Sequence, residues 1–358
     1  MRIETLTFFR FIAAVIVVIF HFGKNTTGLS GTLVAGPQMV TFFFVLSGFV
    51  MALSNLSKDC FNAKSYWWAR VSRILPVYLL ALALMLLPSI KVENVGLKSL
   101  ILNVTLLQSW FSPYPSSINS PGWSLSVEVF FYCTFPFVLS VIKKYNLSAI
   151  HVGVTSLLLW IVTQAILSGA LSNGLYSGEP SLSHDLIYFF PLSHFCSFLL
   201  GVSAGAWFVT RKIAVTNNYQ SIALVGGAVL LVDFIINNQS NIINYLGFQV
   251  AFGSSFLAPL FLMFIISVAM CQSKVSRILS AKPLVLLGEA SFSLYILQVP
   301  FWKIYCKYIS ESMALPPLLN FYAFLVLLIF ISIFSFLFFE RPVNKFMRFS
   351  LPNYLKVA

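Results

Sequence analysis

Two ionisable side chains, Arg10 and His21, sit inside the first apolar stretch, Phe8 to Phe22, where a plain hydrophobic anchor has no use for them. Eleven residues make about three helical turns, which leaves the two within roughly 20° of one face and about 16 Å apart along the axis. A charge buried in hydrocarbon is costly, so the pair is expected to face an interior cavity. The other reading is an arginine snorkelling to the membrane surface and a histidine bonded to a neighbouring helix. Imidazole is the natural side chain for taking a proton from a hydroxyl near neutral pH.

Three further groups could serve such a site. Arg70 and Arg73, in the stretch Trp67-Trp68-Ala69-Arg70-Val71-Ser72-Arg73, are three apart and share a helix face, and two forked guanidiniums on one face suit phosphate oxygens. Topology alone would also put arginines there. Glu128 lies about two turns into an apolar helix, with Tyr132 one turn further on, and His21 is a candidate partner for it. Ser291, Tyr295 and Gln298 follow i, i+4, i+7 spacing, the pattern of a polar stripe that lines a cavity or bonds between helices. No glycine-rich nucleotide loop and no nucleophile elbow accompany them.

The elements that must hold these residues are membrane helices. Of the 358 residues, 59% are hydrophobic and 9% charged, against about 25% charged in soluble domains. The net charge of +12 is spread over short loops between apolar runs, so it does not indicate nucleic-acid binding. The five cysteines have no metal-ligand or disulfide spacing, and no metal is expected. The first apolar run lacks a clear cleavage site and is expected to be retained.

Apolar runs long enough to cross a bilayer occupy roughly 6–23, 38–55, 70–88, 122–142, 149–168, 186–209, 219–236, 254–272, 286–304 and 317–339. These predict an all-α polytopic membrane protein with about ten transmembrane helices and both termini in the cytoplasm. Residues 1–345 form one transmembrane domain and 346–358 a short cytoplasmic tail. With ten spans, sixteen loop cations fall inside and five outside. If Leu97 to Phe111 also crossed, the tally would become seven against fourteen, which violates the positive-inside bias. That segment is therefore expected to be interfacial or re-entrant, under the proline-rich stretch Pro113 to Pro121.

Together these motifs resemble acyltransferase family 3, the bacterial inner-membrane acyltransferases that include O-antigen and exopolysaccharide O-acetyltransferases. The likeness rests on Arg10 and His21, the run Phe42 to Phe49, Arg70 and Arg73 followed by Ile74, Pro76 and Tyr78, the Gly122 to Tyr132 segment, Ser291 to Pro300, and Glu340-Arg341-Pro342. Their order and spacing across the chain make it specific.

The resemblance implies a multi-pass inner-membrane enzyme that moves an acetyl or other acyl group from cytoplasmic acetyl-CoA or acyl-CoA. The acceptor is a sugar hydroxyl of a surface polysaccharide or its polyisoprenyl-linked oligosaccharide precursor, such as O-antigen, capsule or exopolysaccharide. By that likeness His21 is catalytic, as a base or as a transient acyl carrier, Arg10 supports the site, and Arg70 and Arg73 hold the CoA phosphates; Glu128, from its depth in the membrane, is expected to assist His21. Gln298 stands where relatives often have histidine, and with Tyr132, Ser291 and Tyr295 it is expected only to position other groups. Some relatives append an esterase-like domain; here acyl handling is expected within the membrane domain or with a separate partner. A flippase for a lipid-linked sugar is the alternative reading, although the internal repeats common in transporters are not seen.

Overall fold

The computed structural model describes residues 3–58, 60–87, 90, 95–210, 218–310 and 315–349. Every regular element among them is helical. The long helices are α1 (Glu4–Val18), α2 (Gly36–Asn55), α3 (Ala63–Met85), α5 (Gly122–Lys144), α6 (Ala149–Ser172), α8 (Pro191–Thr210), α9 (Asn218–Asn237), α13 (Lys282–Tyr305) and α14 (Pro317–Ser335). Between them run the shorter α4 (Leu97–Val104), α7 (Leu182–Tyr188), α10 (Gln239–Leu246), α11 (Ala258–Met270) and α12 (Lys274–Leu279), and α15 (Arg341–Phe349) follows at the end.

Among the described residues nine helical stretches are long and apolar enough to cross a membrane, which makes this a multi-pass membrane protein. The expected span at 254–272 is not one continuous helix: a non-helical segment precedes a short one, and Gln272 N donates to Asn218 Oδ1 at the start of α9. Its helix, α11, has 13 residues and reaches only about 20 Å, short of a hydrocarbon core of about 30 Å. The residues before it, Val250 to Leu257, are non-helical and mostly buried. Side chains from neighbouring helices satisfy their carbonyls: Trp160 Nε1 donates to Ser255 O at 2.9 Å and Gln164 Nε2 to Ser254 O at 2.9 Å. Apolarity alone registers such a buried, side-chain-capped bend as part of a span.

The Leu97 to Phe111 segment holds the eight-residue α4 and a three-residue turn of 3-10 helix, too short to cross. It is tied inward by Tyr78 Oη, which donates to Asn103 O at 2.8 Å, and by Gln108 Nε2, which donates to Gly122 O at 2.9 Å. The boundary expected at residue 345 falls within α15, a continuous helix, and the tail from residue 350 lies outside the described residues.

Two close helix approaches set the frame. At the α2–α8 crossing a Cβ on Gly48 would lie 2.0 Å from Phe198 O, and one on Gly201 1.9 Å from Val45 O. At the α1–α13 crossing a Cβ on Gly288 would lie 1.9 Å from Thr7 O. Only glycine allows backbone to pass backbone at this distance, so these residues draw together the helices that carry Arg10, His21, Ser47 and Tyr295.

Candidate active site

Three helices contribute the charged groups. Arg10 from α1, Arg70 and Arg73 from α3 and Glu128 from α5 all line one narrow cavity of about 110 Å³. Ser47, Ser124, Tyr132, Ser291 and Tyr295 complete its polar wall. The three arginines also line an adjoining wide cavity of about 650 Å³, whose other charged residues are Glu289, Glu340, Arg341, Lys345 and Arg348. The narrow cavity is thus the inner end of a basic vestibule.

The helix α3 is built to present its arginines there. The Asn62 side chain caps it by accepting from Ser65 N at 3.0 Å. Two adjacent indoles then fasten it on both sides: Trp67 Nε1 donates to Tyr132 O at 2.9 Å, and Trp68 Nε1 to Met347 O at 2.8 Å. The Arg70 guanidinium lies 5.3 Å from the Tyr66 ring centre and 5.6 Å from that of Tyr132. Its Nε is buried without a hydrogen-bond partner. A buried, unpartnered guanidinium N–H is a costly group unless an anion completes it, and phosphate is the acceptor that best fits the arginine fork.

Glu128 is fixed differently from the sequence expectation. Its Oε1 accepts from Ser47 Oγ at 2.8 Å and from Tyr132 Oη at 2.5 Å, so its hydrogen-bond partners come from α2 and from its own helix rather than from His21. Ser47 enters the site through this bond; the sequence suggested only close helix approach at Ser47-Gly48. Glu340 accepts from Ser293 Oγ at 2.8 Å and faces the wide cavity with Arg10 and Arg73.

His21 lines neither cavity. The helix α1 ends at Val18 and continues as a five-residue π-helical turn, Ile19–Gly23. The π-helical winding begins two residues before His21, where the spacing argument assumes an unbroken α-helix, and the axial separation of about 16 Å puts the imidazole beyond both linings. The imidazole is exposed, with Nδ1 3.0 Å from Gln298 Oε1. Gln298 is fully buried, and its Nε2 donates to Tyr295 O at 2.6 Å. That second bond fixes the amide with its oxygen toward His21. Nδ1 therefore carries the proton and donates, leaving Nε2 with the lone pair.

The stripe of α13 is split accordingly. Ser291 and Tyr295 face the narrow cavity, whereas Gln298 serves the histidine. The Tyr295 hydroxyl lies 2.8 Å from Ser124 Oγ and 3.3 Å from Pro121 O, and Asn119 Nδ2 donates to Ile296 O at 3.0 Å. The Pro113 to Pro121 stretch is thereby bonded onto α13 beside Tyr295 and Ser124, which both line the narrow cavity. Ser124 gave no distinct signal in the sequence. Among the described residues no group of three His, Cys, Asp or Glu side chains is placed to hold a metal ion.

A family profile described as an acyltransferase domain matches residues 3–340. The protein named acyltransferase MdmB, from Streptomyces mycarofaciens, is 33% identical over 164 residues, covering 40% of this chain and 41% of MdmB. The protein named O-acetyltransferase OatA, from Staphylococcus aureus, is 25% identical over 363 residues, covering 94% of this chain and 56% of OatA. The chain thus spans little more than half the length of that relative. No solved structure matches it. With nearly the whole chain matched and the arginines, Glu128 and His21 held by the same helical frame, the protein belongs to acyltransferase family 3.

Proposed function

We propose that the protein is a membrane O-acyltransferase which takes an acetyl group, or another acyl group, from acyl-CoA at the cytoplasmic face and delivers it to a sugar hydroxyl of a surface polysaccharide or its lipid-linked precursor. The observation that carries this reading is the convergence of Arg10, Arg70 and Arg73 on one cavity, with a buried Arg70 N–H awaiting an acceptor. A polyanionic donor head bound at the basic vestibule can extend its thioester arm into the narrow cavity. Tyr295, which lines the narrow cavity, is joined to His21 through Gln298, whose Nε2 donates to Tyr295 O and whose Oε1 lies 3.0 Å from His21 Nδ1.

The chemistry that fits is direct acyl transfer. Nε2 of His21 removes the proton from the acceptor hydroxyl as its oxygen attacks the thioester carbonyl. The C–O ester bond forms, the C–S bond breaks, and the proton passes to the departing thiolate. Gln298 holds the ring in the tautomer that leaves Nε2 basic, and Glu128 holds Tyr132 and Ser47 around the inner end of the cavity.

Two measurements test this. Mass spectrometry of surface glycans should show O-acetyl groups that disappear when the gene is deleted. Purified protein should bind acyl-CoA, which a flippase for lipid-linked sugars has no reason to do; absence of both results would overturn the proposal. Arg70→Lys keeps the charge but loses the fork, so donor affinity is expected to fall about tenfold, the value of roughly one charge-assisted hydrogen bond. Titration of CoA into the purified variant checks it, and unchanged affinity would remove Arg70 from the donor site. Glu128→Gln keeps the size of the side chain but weakens the acceptor for Ser47 and Tyr132. Its expected effect is a loss of acetyl transfer of about tenfold with donor affinity retained, checked by glycan acetyl content at matched protein level.

A further inference from the structure

One wall of the wide cavity is α15, which beyond the Arg341-Pro342 of the terminal motif carries no predicted site residue. Arg341, Lys345 and Arg348 stand at i, i+4 and i+7, and all three line that cavity together with Asn344. In the sequence, Lys345 and Arg348 have a topological role only. An amphipathic helix at a membrane surface ordinarily turns its basic face to lipid headgroups. Here the basic stripe faces the same space as Arg10, Arg70 and Arg73, while Phe346 and Phe349 are exposed. The Trp68 indole, bonded to Met347 O, pins α15 to the helix that carries Arg70 and Arg73.

Six cations therefore surround about 650 Å³, with Glu289 and Glu340 as the carboxylates of the same lining. Such a concentration of like charge repels itself and invites a ligand with several negative groups. The arrangement also has an order. Arg70 and Arg73 line both cavities and are the inner set; Arg341, Lys345 and Arg348 line only the wide one and are the outer set. A CoA thioester has a matching order, with its diphosphate nearer the reactive arm and its 3′-phosphate at the nucleotide end.

Resting on the donor reading above, we propose that α15 is the second jaw of the donor site. Arg341, Lys345 and Arg348 bind the 3′-phosphate on the nucleotide, while Arg70 and Arg73 bind the diphosphate. The outer stripe then selects CoA over donors that lack a terminal phosphate.

The test is titration of CoA and of 3′-dephospho-CoA into the full chain in nanodiscs. Wild-type protein is expected to bind CoA at least about tenfold more tightly than 3′-dephospho-CoA. The triple variant Arg341→Gln, Lys345→Gln, Arg348→Gln should bind both as weakly as wild type binds 3′-dephospho-CoA. Arg348→Gln alone, an exposed position, should lose part of the discrimination and covers the case in which the triple variant does not fold. Arg277→Gln, exposed and outside both cavities, should match wild type.

Wild-type protein that binds both ligands equally would overturn the role of α15 and leave the donor reading standing. Wild-type protein that binds neither would overturn both. Discs of phosphatidylcholine and of phosphatidylglycerol separate the two sources of phosphate. A variant effect present only in phosphatidylglycerol would assign the stripe to lipid headgroups and overturn the proposal.

Discussion

His21→Ala is expected to reduce acetyl transfer to the surface glycan by about 10²- to 10⁴-fold, the usual contribution of a positioned general base. Binding of CoA to the purified variant is expected to stay at the wild-type level, because His21 lines neither of the arginine cavities. Few other consequences should intrude. The ring is exposed and makes one side-chain hydrogen bond, to Gln298, so its removal leaves the bundle in place.

The readouts are glycan acetyl content at matched protein level and CoA affinity by titration. Retained transfer would remove His21 from the mechanism, whereas lost CoA affinity would mean that it belongs to the donor site. Gln298→Leu should fall between His21→Ala and wild type. It keeps the imidazole but removes the acceptor that holds the proton on Nδ1.

Gly201→Val is expected to be the most damaging single change to the fold. Its Cβ would meet Val45 O at 1.9 Å and Phe49 N at 2.9 Å, both backbone atoms of α2, so no side chain can swing aside. The helices must separate, and the reciprocal contact of Gly48 with Phe198 O is lost at the same time. Overpacking of side chains typically costs 1–3 kcal/mol, and backbone against backbone should reach or exceed the upper end, about 3 kcal/mol. Thermal unfolding and size-exclusion profiles of the detergent-purified protein check this, and an unchanged profile would disprove the close approach. Gly226→Ala is the contrast: nothing stands within 4 Å of its Cβ in α9, so the change should be neutral or stabilising by up to about 1 kcal/mol.

Much of the fold is legible along the chain because a bilayer imposes a length and apolarity on each spanning helix. The short Leu97 to Phe111 segment was separated from the spans by loop charge, and its eight-residue helix agrees with that. Residues 254–272 are a buried bend followed by the 13-residue α11 rather than one continuous helix, a break that hydropathy does not register. Trp160 and Gln164 cap its carbonyls from a helix about 90 residues away.

The site shows the same division. The i, i+3 spacing of Arg70 and Arg73 and the depth of Glu128 identified groups that do share a cavity with Arg10. The partner of Glu128 was not legible, since Ser47 meets it only through the packing of α2 against α5. The i, i+4, i+7 stripe of α15 was present in the sequence, but positive-inside bias offered a sufficient reason for those cations.

The sequence by itself determined that the chain is a bundle of membrane helices carrying an inward guanidinium, a paired-arginine face and an intramembrane carboxylate, because each of these is a local pattern constrained by hydrocarbon. Tertiary structure decided which of them meet. His21, on the π-helical turn after Val18, bonds to Gln298 and lines neither arginine cavity, while the glycine crossings and the two α3 indoles bring Arg10, Arg70, Arg73 and α15 around one vestibule. Such meetings depend on helix register and on contacts between residues hundreds of positions apart, which local periodicity does not encode.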